Sequence, residues 1–134
     1  MAIAASPELD TVAVCRDAAV TLLKRERLGL DHAYVLERLF DRAVPKTAHD
    51  VKPLLAEGLP TDGFVFDTAL AAYLLDATRG KYELPQLAQD YLHTPPAQED
   101  DPDAQLAAQA VCVQRLQRVL SEKLEAEGMT ALLR

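Results

Sequence analysis

Two periods alternate along the chain. Thr11 to Cys15 and Val20 to Lys24 are apolar, β-branched runs separated by Arg16-Asp17-Ala18-Ala19, a pattern that predicts an antiparallel hairpin. Past Gly29 the period lengthens. Val35, Leu36, Leu39 and Phe40 recur three and four residues apart, with Glu37, Arg38 and Asp41 opposite, which predicts a helix capped by Asp31. Val44 to Ala48 can form a short strand, and a helical turn from Asp50 through Leu54, Leu55 and Ala56 is expected to stop at Gly58, with Pro53 tolerated in its first turn. Phe64-Val65-Phe66 reads as a buried strand, and Asp67 or Thr68 as the cap of a helix Ala69 to Asp76 whose Leu70, Tyr73, Leu74 and Ala77 share one face. Leu84 to Leu92 is another short helix, with Leu84, Leu87 or Ala88, and Tyr91 inward. The last helix runs from about Pro102 to Glu127, carries Leu106, Ala110, Val113, Leu116 or Gln117, Leu120 and Leu124 on one stripe, and ends at Gly128. Alternating strands and helices point to an α/β fold with a mixed sheet.

Composition narrows this picture. One domain over residues 1–134 is expected, large enough to bury roughly two-thirds of the surface of its unfolded chain. Residues 1–10 and the acidic, proline-containing stretch 93–103 are expected to be poorly ordered. Only 5% of residues are aromatic and none is Trp, so little is on offer for base stacking. A net charge of -7 works against phosphate-backbone affinity, which comes from Lys and Arg displacing counterions, so DNA binding by this chain alone should be weak or absent. Lys24, Arg25 and Arg27 cluster, but a solvated strand end or turn accounts for them better than a phosphate patch. Cys15 and Cys112 lie far apart in apolar surroundings, as expected of buried, reduced thiols in a cytoplasmic protein. No signal peptide and no run of roughly 18 apolar residues is present, so no membrane contact is expected.

The segment Phe66-Asp67-Thr68-Ala69-Leu70-Ala71-Ala72-Tyr73-Leu74-Leu75 resembles the FDT-x-L-A-A-Y-L-L stretch of the 3'-5' exonuclease domain of family A DNA polymerases, specifically bacterial DNA polymerase I. Three further matches fall in order: Lys46 to Lys52 (KTAHDVK), Leu84 to Leu92 (LPQLAQDYL), and Glu122 to Met129 (EKLEAEGM). The resemblance implies a ribonuclease-H-like fold of the DEDD exonuclease type. In active members two divalent metals, held by four carboxylates, stabilise the attacking and leaving oxygens of the hydrolysed bond.

Those carboxylates are what this sequence lacks. The family's first two acids form Asp-x-Glu on the opening strand, whereas Met1 to Thr11 holds only Glu8 and Asp10, so the N-terminal strand is missing or altered. Laying His49-Asp50-Val51-Lys52-Pro53-Leu54 on His-Asn-Leu-Lys-Tyr-Asp puts Leu54 at the third acidic position. Anchoring the last helix on its LEAEG tail puts Val111 at the fourth and Ala107 where the family has a water-orienting Tyr, and Ala104 to Arg118 contains no acid at all. In these respects the chain resembles the Gram-positive type of DNA polymerase I, in which the domain persists as a scaffold without activity.

The remaining polar candidates have simpler explanations. Asp50 and Asp67 are the only metal-ligand candidates, and helix capping accounts for both. His32, His49 and His93 share no ligand spacing, while Asp76, Glu83 and Asp90 fall on exposed helix ends. Met129, Leu132 and Leu133 follow the last helix where the family chain continues into the polymerase domain, and could rest on it. The expectation is therefore a module of a DNA-directed DNA polymerase, with no catalytic, metal or cofactor site of its own. Its partner would be the polymerase domain of the same chain; DNA and Mg2+ would belong to the parent. Two rivals stand: a residually active metal-dependent exonuclease, and a free-standing protein-binding adaptor.

Overall fold

The computed structural model describes residues 1–6, 10–16, 19–41, 43–49, 63–78, 80–94 and 99–128. Five strands, β1 (Ala2–Ala5), β2 (Thr11–Arg16), β3 (Ala19–Lys24), β4 (Lys46–Ala48) and β5 (Phe64–Asp67), form one sheet in the order β3-β2-β1-β4-β5. The β2–β3 hairpin is antiparallel, in register from Thr11↔Lys24 to Arg16↔Ala19, as the apolar runs predict. β1 lies antiparallel to β2 but parallel to β4, and β4 parallel to β5, so the sheet is mixed.

Of the two expected alternatives for the N-terminal strand, missing or altered, the second holds: Ala2–Ala5, which carries no acid, is the middle strand, with Ala2 and Ile3 almost wholly buried. Three alanines and a single β-branched side chain give little strand signal; insertion between β2 and β4 decides the conformation, because both backbone edges are then hydrogen-bonded.

Helices cover both faces of the sheet. Inward and outward side chains alternate with the period of two that a strand imposes. Ile3 and Val12 face α2 (Asp31–Leu39) with Leu36 and Phe40, while Ala2, Ala13 and Cys15 face the long α5 (Pro102–Ala126) with Leu106, Ala110 and Val113. Further along, Leu116, Leu120 and Leu124 of α5 pack with Phe66, with Ala71 and Ala72 of α3 (Thr68–Leu75), and with Leu87 and Ala88 of α4 (Leu84–Leu92). The predicted stripe of the last helix is thus the spine of the core, joined by Cys112.

Lys24 ends β3 and Arg25–Leu28 forms one helical turn, α1, closed by Gly29 at φ 55°, in keeping with the expected strand end or turn. Two local expectations need correction. Asp31 is the first residue of α2 rather than its cap; Leu30 holds that position without a side-chain bond. On α3 the buried face is Thr68, Ala71 and Ala72, with Leu70 and Tyr73 about half exposed. That helix is apolar on every side, so periodicity could not choose its inner face; α5 demands close approach and selects the alanines. The expected turn from Asp50 to Gly58, Glu8, and Met129, Leu132 and Leu133 lie outside the described residues.

Candidate functional site

In open α/β sheets, ligand clefts form beyond the carboxyl ends of parallel strands. Here β1 ends in Ala4-Ala5, β4 leads into His49, and β5 ends at Asp67. A cleft of about 1000 Å³ opens beside the last two and is walled by Leu70 and Tyr73 of α3 and by Lys81 to Pro85 at the start of α4.

Asp67 is held by the helix it starts. Its Oδ1 accepts from the backbone N–H of Ala69 at 2.9 Å and of Leu70 at 3.3 Å, with the residue itself extended at φ -124°, as a capping residue should be. The expected cap is therefore in place, and it engages the carboxylate that was the described residues' metal candidate. His49 Nδ1 lies 2.8 Å from Oγ1 of the fully buried Thr68, which ties the end of β4 to the first turn of α3. On the far wall Tyr73 and Tyr82 meet edge to face, ring centroids 5.8 Å apart, and the Tyr82 hydroxyl donates to the Asp76 carbonyl at 2.6 Å.

Val111 does not reach this cleft's lining. It is half-buried on α5 and packs, with Ala4 of β1, against the cluster of Ala2, Ala13, Cys15, Leu106, Ala110 and Val113. The end of β1 and this part of α5 thus border the same apolar cluster, and Ala107 on the same helix is likewise half-buried. Leu54 and Asp50 lie outside the described residues. Two hard cations need several oxygen ligands each. Among the described residues no three His, Cys, Asp or Glu side chains are grouped to hold a metal ion.

The other candidates disperse. His32 is buried in α2 and His93 ends α4 in a left-handed conformation, far in the chain from His49 and in different elements. Asp76 accepts from Thr78 Oγ1 at 2.7 Å, and Asp90 from Gln86 Nε2 at 3.1 Å; Glu83 precedes α4 without capping it by its side chain. Of the basic cluster, Lys24 pairs with Asp103 and Glu26, and Arg25 with Asp10 at 2.9 Å, so two of its three charges already face carboxylates. The Asp103 carboxylate, and after it Glu26, holds the Lys24 ammonium above its ordinary value. Cys15 and Cys112 are buried and form no disulfide, and the Cys15 thiol lies 2.9 Å from Gln114 Oε1; burial pushes the Cys112 thiol up to about 11, Arg115 opposing it. No helix among the described residues is long and apolar enough to cross a membrane.

Two features escaped the sequence. Leu70 and Tyr73 line a cleft rather than the core, and Lys46 is fully buried. An all-apolar helix holds a hint of the first; nothing in the sequence pattern marks the second.

No protein-family model matches the chain, and no curated protein does. Solved structures do. The chain is similar to the POL domain of Pol1 from M. smegmatis in complex with DNA primer–template and dNTP, at 25% identity and a TM-score of 0.80 over 98% of its length. It spans only 24% of that chain. It is also similar to Brucella melitensis NrnC bound to pGG (20% identity, TM-score 0.71) and to Brucella melitensis NrnC (19%, 0.70), in each case over 98% of this chain and 76% of the other. The fold is the expected α/β, ribonuclease-H-like one.

Proposed function

We propose that this chain is a non-catalytic exonuclease-like module of a DNA polymerase I of the Gram-positive type, acting in DNA replication and repair, and that its task is to hold the polymerase domain in place. The observation that carries this reading is that Val111, which stands at the fourth acidic position of the resembled family, packs against an apolar cluster, and that Asp67 caps α3. The likeness to a Pol1 chain four times as long supports a parent polymerase, whose DNA and Mg2+ would belong to the parent's own active site. Within that polypeptide the module would act by position, its α5 spine keeping the sheet rigid.

Incubation of the chain with a 3'-labelled single strand and Mg2+ or Mn2+ tests this. No metal-dependent shortening is expected. Digestion above the buffer control that disappears in Asp67→Asn would refute the reading and favour a residual exonuclease. A stop codon directly after Arg134 in the reading frame would instead favour a free-standing adaptor.

A further inference from the structure

Lys46 is the least expected residue of the interior. It opens β4, its side chain is fully buried, and no carboxylate forms an ion pair with it among the described residues. A buried ammonium is costly unless its three N–H groups find acceptors. Here Nζ donates to the Asp41 carbonyl at 2.9 Å and the Val44 carbonyl at 2.6 Å, and it lies 5.4 Å from the centre of the Phe64 ring. Two carbonyl dipoles and one aromatic face therefore surround the cation.

The two carbonyls belong to a turn that is already built. Val44 N–H donates to Asp41 O at 3.0 Å, and Asp41 Oδ1 accepts from Ala43 N–H at 2.8 Å, so the turn that presents both carbonyls is held by its own bonds. The cradle's fourth wall is Gly63. A methyl there would lie 2.9 Å from Val44 O and would overlap Nζ itself, so the absence of a side chain is what admits the ammonium. The Lys46 backbone N–H also bonds Gly63 O at 2.8 Å. One residue thus joins the α2–β4 connection to the start of β5.

We infer that the Asp41 and Val44 carbonyls, the Phe64 ring and Gly63 form a small-cation site that Lys46 fills from within, and that shortening this side chain opens the site to a primary ammonium ion from solution. The inference concerns the fold's own chemistry and does not rest on the module being inactive. Carbonyl oxygens with an aromatic face suit a singly charged, hydrogen-bond-donating cation; among the described residues the Asp41 carboxylate adds only a coulombic attraction, short of the several anionic oxygens that a divalent ion needs.

Thermal melting of Lys46→Ala in methylammonium chloride, against tetramethylammonium chloride at equal ionic strength, tests it. The variant should melt below the wild type. Methylammonium should raise its melting temperature along a saturable binding curve, as ligand linkage requires, and tetramethylammonium, which has no N–H, should not. Equal responses to both salts, or a Lys46→Met chain that melts at or above the wild type, would overturn the inference. Should Lys46→Ala fail to fold, the wild-type chain still decides the matter by NMR. The Lys46 ammonium protons should exchange with water far more slowly than those of the exposed Lys81 and Lys123; exchange at the same rate would overturn it.

Discussion

Gly63→Ala isolates the packing around the buried ammonium and has an unambiguous sign. Gly63 is not among the glycines at positive φ, so an alanine there meets no backbone strain. Were space available, the substitution would stabilise the chain by about 0.4–1 kcal/mol, because it restricts the unfolded ensemble. Space is not available. The new methyl would stand 2.9 Å from Val44 O and 3.1 Å from Asp41 O, and closer still to Lys46 Nζ. Both carbonyls are backbone atoms of one turn and the ammonium is pinned by them, so no flexible side-chain end can yield. Overpacking of this kind costs about 1–3 kcal/mol. It exceeds the entropic gain, and the net expectation is a loss of about 1–2 kcal/mol, read as a melting temperature about 3–8 °C lower in a domain of this length. Urea unfolding followed by circular dichroism gives the free energy directly. In a Lys46→Ala background one clashing atom is gone, and the cost of Gly63→Ala should shrink by at least about 0.5 kcal/mol, the size of coupling expected for residues in contact. A Gly63→Ala chain as stable as the wild type, or costs that simply add, would refute the account of this cradle.

Two further predictions bear on the site and the core. Asp67→Ala should cost about 0.5–2 kcal/mol by removing the cap of α3, whereas Asp67→Asn, an equally good cap, should cost little; urea midpoints showing equal losses would mean that charge rather than capping holds Asp67. Because the Cys112 thiol titrates near 11 in the folded chain against 9.0 unfolded, its contribution is fully present below pH 9 and is lost as pH rises toward 11. Cys112→Ala should therefore flatten the alkaline fall in stability, and a disulfide-exchange dye at pH 8 should label neither cysteine until the chain is unfolded.

How much of this was legible in the sequence depends on which force decided each element. The hairpin and α5 were readable because apolar period and burial agree there: Val12, Ala13 and Cys15 are buried on β2, and Leu106 through Leu124 on α5. β1 was not, since Ala-Ile-Ala-Ala is stranded by its neighbours and not by its own propensity. The face of α3 was misread because Leu70 and Tyr73 are as apolar as the Ala71 and Ala72 that won the inner side, and fit against α5 settles such a choice. At the candidate site the Asp67 cap was visible from a strand–Asp–helix pattern. The His49–Thr68 bond spans nineteen residues, and no spacing rule predicts it. Lys46 was equally hidden, as a buried lysine is normally a paired one and its acceptors here are main-chain atoms.

A nuclease and a scaffold place opposite demands on the same few positions. A two-metal centre needs several carboxylates within reach of one another, a cluster that repels itself whenever the metals leave and that raises the pKa values of its members at a cost to stability. A domain kept for its shape gains by exchanging such a cluster for side chains that pack. At the end of β1 and on the facing turn of α5 this chain has Ala4 and Val111 in one apolar cluster, continuous with the buried stripe that runs along α5. The direction of the argument also limits what a single reversion could do. One carboxylate put back at Val111 would border that apolar cluster, away from the cleft that Asp67, His49 and Glu83 line, and Asp67 already serves the helix it caps. Such a change would bring the desolvation cost of an acid without the set of ligands that makes the acid useful, so on the scaffold reading stability falls and no nuclease appears.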